Sequence, residues 1–405
     1  MNPMISSTKQ QSNLRMVKLV FSVLYFFFMG VRAIFSPFVT IYLQERGLSA
    51  ELIGIVTGIN SFAIIVSQPL WGALADKLQS TRKTLVICLI GQALFAIGLM
   101  FTNDFMMIAV GFCIYTSFAS TEGPLMDVWS LTSIKEAGDP KGVGGAKAWG
   151  CVGYATASVL AGLFVTGRKA SSLLPIFAVL LLIMAFIMYM IRIGSSAKGT
   201  GKNVSFRELN LGRILRDRPF LIFLVYVFFM QLGHRATFTF QSLYMRELGG
   251  EISIAGYSGA LMFVSEAVVM ALGKRMLGRF KPVTLVILSS FAFTIWQSIL
   301  FLASSPYHVM AACLMDGPAF ALFTFGTLYY LDSAAPGEIR TTYQTVAYAV
   351  YYGLSGIVGN VLGGAIIGAF GYKAMYAVAA TMTLSSTVLF WTYRRFRGNG
   401  KAVRA

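Results

Sequence analysis

The chain has 405 residues, 56% hydrophobic and 12% charged, with a mean hydropathy of +0.70 and a net charge of +17. Soluble domains carry about 25% charged residues, so water is excluded as the solvent for most of this surface and lipid is expected in its place. The basic balance does not point to nucleic acid, because Lys and Arg fall between apolar runs and no basic face carries interleaved stacking aromatics.

A membrane-spanning helix needs about 20 mostly apolar residues. Such runs predict spans at 17–43, 52–76, 84–102, 105–133, 143–166 and 173–193, then at 219–245, 255–275, 282–304, 306–332, 342–368 and 372–393. Helices are expected because backbone polar groups in lipid must be satisfied within the segment. The fold class is therefore an all-α membrane protein with twelve transmembrane helices in two six-helix halves, 1–193 and 219–405, joined by a polar linker at 194–218. The first run is read as a retained helix, since no small-residue cleavage site follows it. Cys88, Cys113, Cys151 and Cys313 lie in apolar runs without metal-ligand spacing, so no metal and no cofactor are expected.

Twelve spans place both termini on one side. That side holds 25 of the 33 Lys and Arg residues; the opposite loops hold five, and Arg32, Lys147 and Arg235 fall within spans. The asymmetry predicts cytoplasmic termini in a plasma (inner) membrane protein. The fifth and eleventh runs are both rich in glycine, including Gly150 and Gly153 in one and Gly356, Gly359 and Gly363 in the other. Such spacing permits close helix contact, either as plain packing or as repeats that rock against each other.

After the second run the chain reads Gly72-Ala73-Leu74-Ala75-Asp76-Lys77-Leu78-Gln79-Ser80-Thr81-Arg82-Lys83. This resembles the loop signature between the second and third helices of the major facilitator superfamily. It departs by one extra residue and by lacking the second glycine. In that reading Gly72 allows close helix approach, Asp76 holds a neighbouring helix end or basic residue, and Arg82 and Lys83 anchor the loop in the cytoplasm. Gly273 to Lys281 is a degenerate copy without the acid.

A narrower resemblance is to the lactose permease branch, the oligosaccharide–proton symporters. It rests on Phe26 to Gly30 with Ser36-Pro37-Phe38, on Ser67 to Gly72, and above all on Ala146-Lys147-Ala148-Trp149-Gly150-Cys151-Val152-Gly153-Tyr154. It implies Lys147 at the sugar-binding basic position, Tyr154 at the stacking aromatic, Asp127 at the partner acid, and Glu266 as an acceptor of solute hydroxyls. The departures are also clear. Lysine lacks the planar fork of arginine. His234 and Arg235 stand where the branch has aspartates, Tyr352 and Gly353 where it has lysine, Asp316 near its histidine, and Ala319 at its proton-carrying glutamate.

Ionisable groups in a bilayer are costly and mark function by default. Here they are Arg32, Glu122, Asp127, Lys147, Arg235, Glu266 and Asp316, with His234 able to titrate. Asp127, Lys147, Tyr154, Trp149, Glu266 and Arg32 are expected to bind solute. Asp316, Glu266 and His234 are expected to carry protons. No nucleophile–base pair or phosphate loop argues for an enzyme. The expected activity is secondary uptake of a small polar solute, a sugar or glycoside, with protons, by a monomer in the bilayer. Nucleoside or aromatic-carboxylate carriage, amphiphile efflux and a membrane receptor are the rival readings.

Overall fold

In the computed structural model, residues 3–139, 143–191, 193, 217–334 and 340–402 are described below. Among them there is no strand. The expected linker 194–218 falls outside this set except at its last two residues.

The helices are α1 (Pro3–Phe35), α2 (Val39–Glu45), α3 (Ala50–Lys77), α4 (Thr81–Gly98), α5 (Phe105–Glu136), α6 (Val143–Val165) and α7 (Leu173–Met190). They continue as α8 (Arg218–Glu247), α9 (Ser253–Arg279), α10 (Pro282–Leu302), α11 (Pro306–Ala334), α12 (Arg340–Tyr348) and α13 (Ser355–Ala402). A 3₁₀ turn at Ser36–Phe38 joins α1 to α2 into one span, and a π-turn at Ala349–Leu354 joins α12 to α13. Among the described residues, eleven stretches are long and apolar enough to cross a membrane. The last, Tyr343–Phe396, covers 54 residues and breaks at Gly371 (φ 82°, ψ 171°), which splits it into two crossings. The expected count of twelve spans is reached in this way.

Helix starts follow their capping residues. Ser80 Oγ accepts from the Lys83 amide (3.2 Å) at α4, and Asp104 Oδ1 accepts from the Met107 amide (2.9 Å) at α5. At α8, Asp217 Oδ1 accepts from the Phe220 amide (3.4 Å), with proline in the first turn where its missing N–H costs nothing. Asp217 Oδ2 also accepts from the Tyr343 hydroxyl (2.8 Å), tying α8 to α12.

The chain forms two compact units: Met1–Arg46 with Ala63–Asn203, and Gly47–Phe62 with Val204–Ala405. In the first, α6 packs along α1, and α4 packs on α5 and α7. In the second, α13 packs along α8, α11 packs on α9 and α10, and α10 also meets α13. Glycines set the closest approaches. A Cβ on Gly153 would collide with the Phe26 carbonyl of α1, and one on Gly359 would sit 2.7 Å from the Leu232 carbonyl of α8. The two glycine-rich helices thus lie against α1 and α8 respectively.

The two units repeat small details. Tyr42 donates to the Leu99 carbonyl (2.6 Å) after α4, and Tyr244 donates to the Ala303 carbonyl (3.1 Å) after α10. Gly47 (φ 85°) and Gly249 (φ 82°) take the left-handed conformation just beyond. In the first unit Arg46 closes this corner, bonding Asn103 Oδ1 (2.5 Å) and the Met100 carbonyl (3.1 Å) and covering the Tyr42 ring at 5.1 Å.

Candidate functional site

In the first unit the polar site is built from α1, α5 and α6. Lys147 Nζ donates to Asp127 Oδ2 (2.6 Å), and the Tyr25 hydroxyl donates to Asp127 Oδ1 (2.7 Å). The same hydroxyl lies 2.9 Å from Ser130 Oγ, one helical step from Asp127. Gly150 lets the α6 backbone lie against Met29 and the Tyr25 carbonyl of α1, which brings Lys147 within reach of α5. Both side chains of the pair are about half exposed, at 47% and 45%. An ion pair this open contributes about 0.2–1 kcal/mol to stability, and its atoms remain accessible to a solute. Tyr154 lies two turns along α6 from Lys147, and its ring is covered, at 7% exposure. Trp149 is 54% exposed and points to another side of α6.

Arg32, on α1, lies 5.8 Å from the Phe28 ring centroid and reaches the backbone at Gly123. Glu122 is fully buried, and neither of its carboxylate oxygens has a hydrogen-bond partner. Arg32 is the cation that bears on it.

The second unit holds a denser cluster. His234 Nε2 lies 3.2 Å from Asp316 Oδ1, and both residues are buried. The imidazole sits among Phe293, Trp296, Phe320 and Phe238, with ring centroids 4.5–5.9 Å away. Arg235 stacks its guanidinium on Tyr352 at 4.7 Å, and its Nε has no partner. Tyr352 belongs to the π-turn, a distortion that is common at functional sites. Gly317 lies so close to Ser265 and to the Glu266 amide that α9 and α11 touch there, and Asp316 bears on Glu266. The sequence expectations for His234, Glu266 and Asp316 named them singly; the fold gathers them.

The loop motif is more ordinary. Among the described residues, a Cβ on Gly72 would meet nothing within 4 Å. Asp76 forms no side-chain hydrogen bond or ion pair among the described residues. Arg82 donates to the Ile191 carbonyl at the end of α7, and Lys83 takes part through its backbone in the α4 cap. Gln79, which replaces the second glycine of the motif, has φ +46°.

Tyr25, in the Asp127 cluster, is a residue that the sequence did not single out. Glu122, named from the sequence among the ionisable groups within the spans, lies outside both clusters, and an internal repeat draws attention to it. Gly30-Val31-Arg32-Ala33-Ile34-Phe35 in α1 recurs as Gly233-His234-Arg235-Ala236-Thr237-Phe238 in α8, and Glu122-Gly123-Pro124 in α5 recurs as Asp316-Gly317-Pro318 in α11.

The sequence profile of the MFS_1-like family matches residues 18–378. The chain belongs to this family. It is a multi-pass transporter of the major facilitator superfamily. An uncharacterized transporter of Bacillus subtilis, YwbF, is 25% identical over 87% of this chain and 86% of its own length. A maltose permease of Geobacillus stearothermophilus is 26% identical over 95% of this chain and 96% of its own. A protein of Escherichia coli K12 named Probable 3-phenylpropionic acid transporter is 25% identical over 88% and 92%. The fold is shared with a point-mutant form of the nucleoside transporter NupG, with a TM-score of 0.85 and 16% identity over 93% of this chain and 99% of that one.

Proposed function

We propose that this protein imports a small polar solute, a sugar or glycoside, together with protons, by alternating access across the plasma membrane with both termini in the cytoplasm. The observation that carries this reading is the Asp127–Lys147–Tyr25 cluster. It offers one acceptor carboxylate and two donors from three different helices; the Asp127 and Lys147 side chains are half exposed, and Tyr25 is buried beside them. Sugar hydroxyls both donate and accept, so they can take over the exposed Lys147–Asp127 bond. The maltose permease relative supports the solute class.

Proton coupling is supported by charge balance in the second unit. Asp316 bears on both Glu266 and Arg235, and among the described residues of this cluster Arg235 is the one permanent cation. Two carboxylates with one fixed counter-charge need a proton, on His234 or on a carboxyl, to be neutral in a low-dielectric interior.

A second reading, carriage of an organic anion, is favoured by Arg32 and Arg235. Neither guanidinium forms a hydrogen bond or ion pair among the described residues, and the 3-phenylpropionic acid relative points the same way. One experiment separates the readings: solute-dependent proton uptake by proteoliposomes, with a panel of sugars, nucleosides and aromatic carboxylates. Alkalinisation with a sugar class supports the first reading, and a response confined to carboxylates supports the second. Silence with all solutes overturns both.

A further inference from the structure

Glu122 is the buried ionisable group that the solute site and the His234–Asp316 cluster leave unused. It is fully buried, and both carboxylate oxygens lack a partner. Buried carboxylates that serve only structure are closed into hydrogen bonds or ion pairs. This one is not closed, although a cation lies beside it. A Cβ on Gly123 would lie 3.7 Å from Arg32 Nη1, so the guanidinium reaches the backbone next to Glu122 without bonding its carboxylate. The other groups around the carboxylate are neutral in kind. They are Cys88 on α4 and Tyr115 two turns earlier on α5. On α6, Lys147 is engaged by Asp127, which lies five residues from Glu122 on another face of α5; Cys151 and Tyr154 are the remaining titratable groups of that helix.

The backbone next to Glu122 is also open to change. Pro124 cannot donate to the Ser120 carbonyl, and Gln68 Nε2 takes that acceptor instead (3.3 Å). The second unit repeats the device: Asp316-Gly317-Pro318 on α11 with Arg235 on α8, and Asp316 Oδ2 likewise unpartnered.

We propose that Glu122 is a second proton-exchange group, housed within the first unit, with Arg32 as its counter-charge. Glu122 takes a proton from water while Arg32 is turned away, and returns it to water when the guanidinium closes on the carboxylate. Each unit then carries one arginine-gated acid. This rests on the proton-coupled reading above and extends it from one exchange group to two.

The test is infrared difference spectroscopy of the full-length protein in liposomes, stepped between acidic and alkaline pH. The wild type is expected to show a protonated-carboxyl band that Glu122→Gln loses, while the bands lost in Asp316→Asn and Glu266→Gln persist. Arg32→Gln keeps the band but displaces its titration midpoint, and it serves if Glu122→Gln fails to assemble. Spectra of Glu122→Gln that superimpose on wild type overturn the proposal, as does an unmoved midpoint in Arg32→Gln. Loss of solute-driven proton uptake with every solute, with the Glu122 band intact, overturns the transport reading alone.

Discussion

Asp127 accepts hydrogen bonds from α1 and α6 at the same time, and its two donors differ in charge. Asp127→Asn keeps the shape but removes the charge that holds Lys147. Because the pair is half exposed, stability is expected to change by less than about 1 kcal/mol. Uptake in proteoliposomes is expected to fall tenfold or more, since the lysine loses its fixed position. Tyr25→Phe removes a hydrogen bond to the carboxylate, worth about 1.5–3 kcal/mol, and should lower uptake about tenfold or more. If both variants transport like wild type, the cluster is structural. Gln79 offers a test of the opposite sign. Its φ of +46° costs an L-residue about 1–2 kcal/mol, while glycine gives back about 0.5–1 kcal/mol in chain entropy. Gln79→Gly should therefore raise thermal stability by roughly 0.5–1 kcal/mol, read as a higher melting temperature in detergent. The sequence showed that the family's second glycine is missing, but not which residue takes its place. It could not show that the glutamine keeps the glycine's backbone conformation.

Most elements were legible because lipid imposes one rule on them. An apolar run long enough to cross must be a helix, and the predicted runs differ from α3 to α11 by a few residues at their ends. What run length could not show was the joint after Tyr348, where a π-turn replaces regular helix, or the continuous 54-residue stretch that only Gly371 divides. Pairing was less legible still. His234 and Asp316 are 82 positions apart, and no local pattern brings α8 to α11. The packing glycines were visible as composition, but not which of them bear contact. Gly153→Ala places a methyl against the Phe26 carbonyl, and α1 must move, at a cost of about 1–3 kcal/mol or more. Gly144, on the same helix, has nothing within 4 Å, and Gly144→Ala should be neutral or gain about 0.5–1 kcal/mol from helix propensity. Thermal unfolding of the two variants side by side checks this. Equal loss in both would mean that α6 and α1 are not held by that contact.

For the whole molecule, the proposed coupling to protons raises the question of how binding energy and a proton gradient would be linked. Solute exchange between equal pools on both sides needs only the binding site and the conformational change. Net accumulation needs, in addition, a group that binds a proton on one side and releases it on the other. In the second unit Asp316 is the acid we propose for that task. It faces His234, lies next to the Glu266 backbone through Gly317, and keeps one oxygen free of partners. Asp316→Asn preserves the side-chain volume and a hydrogen-bond acceptor for His234, so the packing in the aromatic box should survive. The variant is expected to retain exchange of internal and external solute within about threefold of wild type, because a lost neutral contact is worth about 1 kcal/mol or less. Uptake against a gradient should fall at least tenfold and should no longer respond to a protonophore. The measurement is paired counterflow and active uptake with whichever solute of the panel is carried. Parallel loss of both activities would assign Asp316 to the solute site or to structure. Full retention of both would remove it from the coupling path and leave Glu266 and His234 to carry the proton.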